Sequence, residues 1–190
     1  NNGGNDLNVT ANGAFTFTAP VADGATFAVT VFTPPTTPSQ TCVVTNGSGT
    51  IAGANVSNVT VACTISTFTI GGTVAGLAAG NNVVLRNNGG NDLNVAANGA
   101  FTFTTALTDQ SVYAVTVFTQ PTTPNQTCVV TNGSGTLAGA NVTNVTVTCT
   151  TTTYTVGGTV AGLAAGNNVV LRNNGGNDLN VTANGAFTFT

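Results

Sequence analysis

The sequence has almost no charged side chains. It contains two Lys or Arg residues, five Asp or Glu residues and no His, Met or Trp, and only 4% of its 190 residues are charged. In a typical soluble protein about a quarter of the residues are charged. Because His, Glu and Lys supply most general acids, general bases and amine nucleophiles, this composition predicts a protein that is not an enzyme and needs no cofactor.

The charge balance also argues against two classes of partner. The formal net charge is −3, and the only two basic residues, Arg86 and Arg172, lie far apart in the chain. Such a chain has no basic surface with which to neutralise the phosphates of a nucleic acid or an anionic membrane. It also lacks the run of about 18 apolar residues that a spanning helix needs, so we expect no membrane insertion in this segment. Its 41% of hydrophobic residues, ten Phe among them, can still bury a core.

The dominant feature that is present is an internal repeat of 86 residues. Asn1–Arg86 aligns with Asn87–Arg172 without a gap and with 68 identical positions. Asn173–Thr190 repeats the sequence of the first 18 residues. We place the start of the structural unit near Thr67. The predicted domains are therefore 1–66, which lacks the first two strands of a unit, 67–152, which is complete, and 153–190, which holds the first four strands of the next unit.

Each unit shows the pattern of short β-strands, without a helical stretch. Seven segments of the complete unit alternate apolar and polar residues or are rich in Val, Thr and Phe: TFTIGGTV, NVVLRN, DLNVA, AFTFT, SVYAVTVFT, TCVVT and VTNVTVTCT. The dipeptide Asn98-Gly99 is typical of a tight hairpin, whereas the two prolines of QPTTPNQ indicate a loop. Seven strands in fewer than a hundred residues favour an all-β fold of tandem immunoglobulin-like β-sandwich domains of about 86 residues.

The four cysteines recur at the same two places in each period. Cys42 and Cys63 are 21 residues apart, as are Cys128 and Cys149. Three pairings are conceivable, and the repeat favours Cys42–Cys63 and Cys128–Cys149, which gives each unit one disulfide. Tetrahedral zinc would need more Cys or His ligands than a unit contains. Because disulfides persist in oxidising compartments, we expect an extracellular or cell-surface protein.

Two further groups of residues are candidate sites. The segment NNGGNDLNV carries Asp6, Asp92 and Asp178 as weak calcium candidates, because one carboxylate among amides is a poor cage for this ion. The alternative is an Asn/Gly-rich turn in which the Asp caps its own backbone. Phe32 and Phe118 fall out of phase with the inward-facing Val residues, so we expect them to be exposed or to cover a joint between domains.

The sequence resembles a known group of repeats. The phrases that carry the resemblance are TVGGTVAGL, VVLRNNGGNDLNV, ANGAFTF, YAVTV and the Cys-bearing TCVVTNGSGT…NVTNVTVTC. They are similar to the tandem immunoglobulin-like repeats of large secreted bacterial surface proteins, akin to collagen-adhesin B-type and carboxypeptidase-regulatory-like sandwiches. The resemblance covers the whole chain. The Lys–Asn isopeptide bond that is common in collagen-adhesin B-type domains is impossible here, because the chain has no Lys.

Two functions are expected from these observations. The first is a structural, non-enzymatic role as a bacterial surface stalk or filament of disulfide-linked beads. Its partner is then the protein itself, through continuation of the polypeptide, which we favour, or through neighbours that donate strands to the incomplete ends. The lack of charge on strand edges also predicts lateral bundling. The second function is an adhesin module that binds a glycan or host surface through exposed aromatic side chains, with Tyr113, Tyr154, Phe32 and Phe118 as the candidates.

Overall fold

The computed structural model describes residues 1–190 and consists of β-strands, turns and loops without a helix. The strands are β1 Thr26–Ala28, β2 Gln40–Thr45, β3 Ser48–Thr50, β4 Thr60–Ile65, β5 Thr67–Phe68, β6 Ile70–Ala75, β7 Val83–Asn87, β8 Asn91–Val95, β9 Gly99–Thr102, β10 Leu107–Thr108, β11 Val112–Thr119, β12 Gln126–Thr131, β13 Ser134–Thr136, β14 Val142–Thr151, β15 Gly157–Val160, β16 Val169–Asn173, β17 Asn177–Val181 and β18 Gly185–Thr188. The all-β expectation is confirmed. The chain contains no helix of the length and apolarity needed to cross a membrane.

Eight strands between Ile70 and Thr151 form two four-stranded sheets. One sheet has the order β13-β11-β7-β8, and the other has the order β12-β14-β6-β9. Strands β14 and β6 run parallel, whereas β11 is antiparallel to β7 and to β13. A two-residue pair, β5 with β10, forms a separate two-stranded sheet.

Both sheets contribute side chains to one hydrophobic core. Alternate residues point inward, as the sequence pattern predicts for strands with one buried face. The buried set includes Ile70 and Val74 of β6, Val83 and Leu85 of β7, Phe101 of β9, Tyr113 and Val115 of β11, and Val145 and Val147 of β14. Phe103 lies in the same core, with its ring centroid 5.9 Å from that of Phe101 in an edge-to-face arrangement.

Gly72 permits the close approach of the parallel strands in this core. A Cβ atom added to Gly72 would lie 1.8 Å from the carbonyl oxygen of Val145 on β14. No side chain fits there without separating the two strands, because a contact that short is far inside van der Waals distance. The Gly-Gly dipeptide of TFTIGGTV is thus explained by packing between backbones.

The chain divides into two compact units, Asn1–Thr150 and Thr151–Thr190. Within the first unit, residues 1–66 form two separate two-stranded sheets, β1-β3 and β2-β4. The second unit also consists of two two-stranded sheets, β15-β18 and β16-β17.

Strands β3 and β13 were missing from the sequence-based prediction. Each has the sequence Ser-Gly-Thr, in which Gly disfavours a strand. In the structure Gly135 of β13 lies opposite Tyr113 of β11, and a Cβ at Gly135 would be 2.8 Å from the Tyr113 hydroxyl. The large aromatic ring on one strand therefore explains the glycine on its neighbour.

Candidate functional site: the joint between repeats and the open sheet edges

Asp109 joins the first copy of the repeat to the second. Its Oδ2 accepts a hydrogen bond from the backbone N–H of Ser39 at 2.7 Å, and its own N–H donates to the carbonyl of Ser66 at 2.9 Å. Its Oδ1 accepts from the N–H of Gly139 at 2.8 Å. Asp109 thus forms hydrogen bonds with the backbone of Gly139 in its own copy and with the backbone of Ser39 and Ser66 in the preceding copy.

The joint is buried, and its electrostatics follow from these bonds. Asp109 is only 5% exposed. The hydrogen bonds from the N–H groups of Ser39 and Gly139 favour the ionised form and lower the pKa of the Asp109 carboxyl, against an opposing effect of burial. Because each carboxylate oxygen accepts a bond from a different segment, the charged form links the segment around Ser39 to the loop that contains Gly139.

Sequence reasoning missed this residue, although a signal for it exists. Asp23 occupies the same place in the first copy, where its Oδ1 accepts a hydrogen bond from Gly53 N–H at 2.8 Å. Residues 21–27 have the sequence VADGATF, and the equivalent residues 107–113 have the sequence LTDQSVY. In this most divergent stretch of the repeat, Asp is the only residue that is identical in the two copies. A polar residue retained between copies that otherwise differ indicates a specific contact.

The structure places both disulfides within the periods, as the repeat favoured. Cys42 is bonded to Cys63 and Cys128 to Cys149, and no free cysteine is present. Cys42 and Cys63 lie directly opposite each other on β2 and β4. Cys128 and Cys149 are buried in the core, whereas Cys63 is exposed. The same bond is therefore an interior element in one copy and a surface element in the other.

Asp92, one of the weak calcium candidates, is paired with an arginine. Asp92 accepts two hydrogen bonds from Arg86, from Nε at 2.5 Å and from Nη2 at 2.8 Å. The two residues lie directly opposite each other on the antiparallel strands β7 and β8. The hydrogen bonds from Arg86 lower the pKa of the Asp92 carboxyl. The interpretation of Asp92 as a cap of its own turn is wrong, because its oxygens are turned across the hairpin to a guanidinium group.

Asp178 repeats this arrangement in the second compact unit. It accepts bonds from Arg172 Nε at 2.5 Å and Nη2 at 2.7 Å. Asp6 has the same local sequence but no ion pair. No group of three or more His, Cys, Asp or Glu side chains lies together in a way that could hold a metal ion.

The aromatic candidates fall into exposed and buried sets. Phe32 is 83% exposed and Phe118 is 54% exposed. The guanidinium carbon of Arg86 lies 3.3 Å from the centroid of the Phe118 ring, which is a cation–π contact on the surface of the sheet. Tyr154 is exposed, but Tyr113 belongs to the core and offers no surface to a ligand.

The open sheet edges are the second feature of note. In residues 67–151, β14 lies between β12 and β6. In residues 1–66, the corresponding strand β4 pairs with β2 alone, and all six of its residues are exposed. In the second unit, β15 corresponds to β6 and pairs with β18 alone. Each of these strands therefore presents an unpaired row of backbone N–H and C=O groups.

Comparisons of the chain with protein-family models, with curated proteins and with solved structures found no match.

Proposed function

We propose that this chain is part of a structural, non-enzymatic repeat protein that forms an extracellular stalk or filament on a bacterial surface. Its beads are tandem immunoglobulin-like sandwiches of about 86 residues, each closed by one disulfide. The pair of four-stranded sheets around a common core in residues 67–150 supports this assignment. The bacterial source is an expectation from the resemblance of the repeat text.

The observation that carries the proposal is the joint at Asp109. Its bonds to the backbone of Ser39 and Ser66 tie one copy to the next through groups that the repeat supplies in every period. A joint that uses a buried carboxylate and backbone amides restricts bending more than a flexible linker does. Repeated contacts of this kind suit a stalk that must keep its length.

Two other properties agree with an extracellular site. Both disulfides are intact in a chain without free cysteine, which fits an oxidising environment. A chain with two arginines and no Lys also offers few cleavage sites to trypsin-like proteases. Titration of native, unreduced protein should find no reactive thiol, and four reactive thiols would contradict the proposed compartment.

Electron microscopy of native, unreduced material tests the structural role. The eight-residue strand β11 rises about 27 Å at about 3.4 Å per residue, so with loops the beads should repeat every 35–40 Å or so along a fibre. Fibres with this axial period, bundled side by side because the edges carry few charges, are the expected result. Isolated particles without axial order would contradict a filament, and strictly single rods would contradict the bundling.

A glycan-binding or host-binding adhesin module is the second candidate function. The observation in its favour is the exposure of Phe32 and Phe118 at equivalent places of two copies, because exposed aromatic rings are common in binding surfaces. A glycan array with the Phe32→Ala, Phe118→Ala double variant tests it. The matched control is Val43→Ala, which removes an equally exposed apolar group elsewhere. Binding that is lost only in the aromatic variant would support the module, and an array without hits would remove it.

A further inference from the structure

The copies of the repeat differ mainly in the residues that form the joint. Of the 86 aligned positions of Asn1–Arg86 and Asn87–Arg172, 18 differ, and 13 of these lie within residues 19–27, at Ser39 or within residues 65–70. These stretches cover only 16 positions, whereas the other 70 positions contain five differences. Divergence between the copies is therefore concentrated in a small part of the repeat.

The fold brings the variable stretches of two successive copies together, although they are far apart in the sequence. Strand β10, in the most divergent stretch, pairs with β5 so that Leu107 lies opposite Phe68. The N–H of Asp109 donates to the carbonyl of Ser66 at 2.9 Å, and Asp109 Oδ2 accepts a hydrogen bond from the N–H of Ser39 at 2.7 Å. The joint is thus built largely from positions that differ between copies, around an Asp that does not.

On the side of the following copy, residues that differ between copies contact each other. The hydroxyl groups of Thr108 and Ser111 are 2.8 Å apart and form a hydrogen bond. The equivalent residues 86 positions earlier are Ala22 and Ala25, which have no hydroxyl group. Both partners of this hydrogen bond are present in one copy and both are absent in the other, so the two differences form a matched set.

The same holds on the side of the preceding copy. The Ser39 hydroxyl donates to Ser66 Oγ at 3.4 Å, and the Ser66 N–H donates to the carbonyl of Ser39 at 2.9 Å. One period later these positions hold Asn125 and Thr152, each with a larger side chain. Because Ser39 and Ser66 are half-buried, the larger pair needs a differently shaped partner surface.

Gln110 connects the two sides through the carboxylate of Asp109. Its Nε2 lies 3.5 Å from Asp109 Oδ2, the oxygen that accepts from Ser39, and 3.3 Å from the carbonyl of Leu137. Gln110 has a φ of 66°, in the left-handed region that favours glycine, and its equivalent in the first copy is Gly24. A side chain kept in this unfavourable conformation, with its amide beside the bridging oxygen, indicates a role in orienting the carboxylate.

We propose that the joint is specific for the two repeats that form it. The surface of residues 107–111 accepts the end of a preceding repeat that carries Ser39 and Ser66, and it discriminates against the end that carries Asn125 and Thr152. Gln110 is the positioning residue that couples the two sides. The partner recognised is another repeat of the same protein, so the order of repeats along the chain is set at their joints. Such discrimination counters misassembly between neighbours that are otherwise nearly identical.

This proposal deepens the proposed function and rests on it, because it assigns specificity to the joint that stiffens the stalk. An exchange of residues in the full chain tests it. The double substitution Ser39→Asn, Ser66→Thr gives the preceding copy the residues found one period later. It should lower the hydrogen-exchange protection of the Asp109 amide, which donates to the Ser66 carbonyl, by about tenfold.

The chain offers a matched control for this exchange. The double substitution Ser57→Thr, Ala62→Thr also introduces the residues found one period later, but both positions are exposed and lie outside the three variable stretches. It should leave the protection of the Asp109 amide unchanged. An equal effect of the two exchanges, or no effect of either, would overturn the proposal.

A double-mutant cycle with Gln110→Gly tests the coupling between the two sides. Gln110→Gly alone should lower the protection of the Asp109 amide by about three- to tenfold, because the carboxylate loses the group that orients it. Combined with Ser39→Asn, Ser66→Thr, its further effect should be much smaller, since the contact that it supports is already lost. Protection is expressed relative to the Val115 amide, which bonds to the Gly133 carbonyl inside the copy and reports that the copy stays folded.

The combined loss decides between coupled and independent sides. A loss equal to or larger than the product of the separate losses would show that the two sides act independently and would overturn the specificity. That result would leave the structural role to microscopy of native material, which reports fibres whatever the specificity of the joint. The failure of this proposal and the failure of the proposed function are therefore distinguishable.

Discussion

Truncating Val147 to Ala measures the contribution of the parallel strand to the core. Val147 is 1% exposed on β14, whereas its equivalent Val61 on β4 is 42% exposed. Val147→Ala removes two buried methyl groups, which costs about 1.6 kcal/mol in transfer free energy. The cavity left behind raises the loss of stability to about 2–3 kcal/mol. The same substitution at Val61 should cost less than about 1 kcal/mol, because water already reaches that side chain.

The assay follows the near-ultraviolet circular dichroism of Tyr113 during thermal unfolding. The chain has two Tyr and no Trp, so a Tyr154→Phe background leaves the buried Tyr113 as the only tyrosine reporter of this core. For a domain of this size, Val147→Ala should lower Tm by about 10–20 °C. A shift of equal size for both valines would refute the conclusion that Val147 lies in the core whereas Val61 lies at the surface.

Three further substitutions test other contacts. Replacing Cys128 and Cys149 with Ala should lower the free energy of unfolding in urea by about 3 kcal/mol, as expected for opening a loop of 21 residues, and no change in the midpoint would contradict a stabilising role. The Asp109 carboxyl has a lowered pKa when folded, so its bridge is fully present above the unfolded pKa near 3.9 and is lost as pH falls through the lower folded value. Amide exchange at Ser39 should therefore lose its protection over that acidic range in the native chain. In Asp109→Ala, which has no acceptor for the Ser39 N–H, this amide should be unprotected at every pH, and unchanged protection would contradict the bridge. Gly72→Ala should prevent the β6–β14 pairing, seen as loss of the Tyr113 signal, and a native-like spectrum would show that the strands can separate to admit a Cβ.

The sequence was a reliable guide to features that depend on local pattern. The alternation around Tyr113 and Val115 predicted an inward face because successive side chains of a strand point to opposite sides, and both residues are buried. The exposure of Phe32 and Phe118 followed from the same period of two. The repeat of the Cys spacing favoured pairing within each period, which is the pairing in the structure.

The sequence was a poor guide to contacts between residues that are adjacent only in space. Arg86 and Asp92 are six residues apart, and their pairing depends on the register of the β7–β8 hairpin, which sets which side chains are opposite each other. The short strand β13 pairs with β11, and its Gly135 lies opposite Tyr113, whose ring leaves no room for a side chain there. The bridge from Asp109 to Ser39 spans 70 positions in the chain.

The amino-acid sequence by itself determined the strand content, the 86-residue period, the inward faces and the near absence of chemistry-bearing side chains, because these follow from residue type and nearest-neighbour spacing. Only the tertiary structure decided which strands are neighbours. It alone placed β6 parallel to β14, gave Gly72 and Asp109 their roles, and left β4 and β15 with open edges. Identical residues are buried in one copy and exposed in another because burial depends on the partner strand. The partner strand is set by long-range pairing rather than by local pattern.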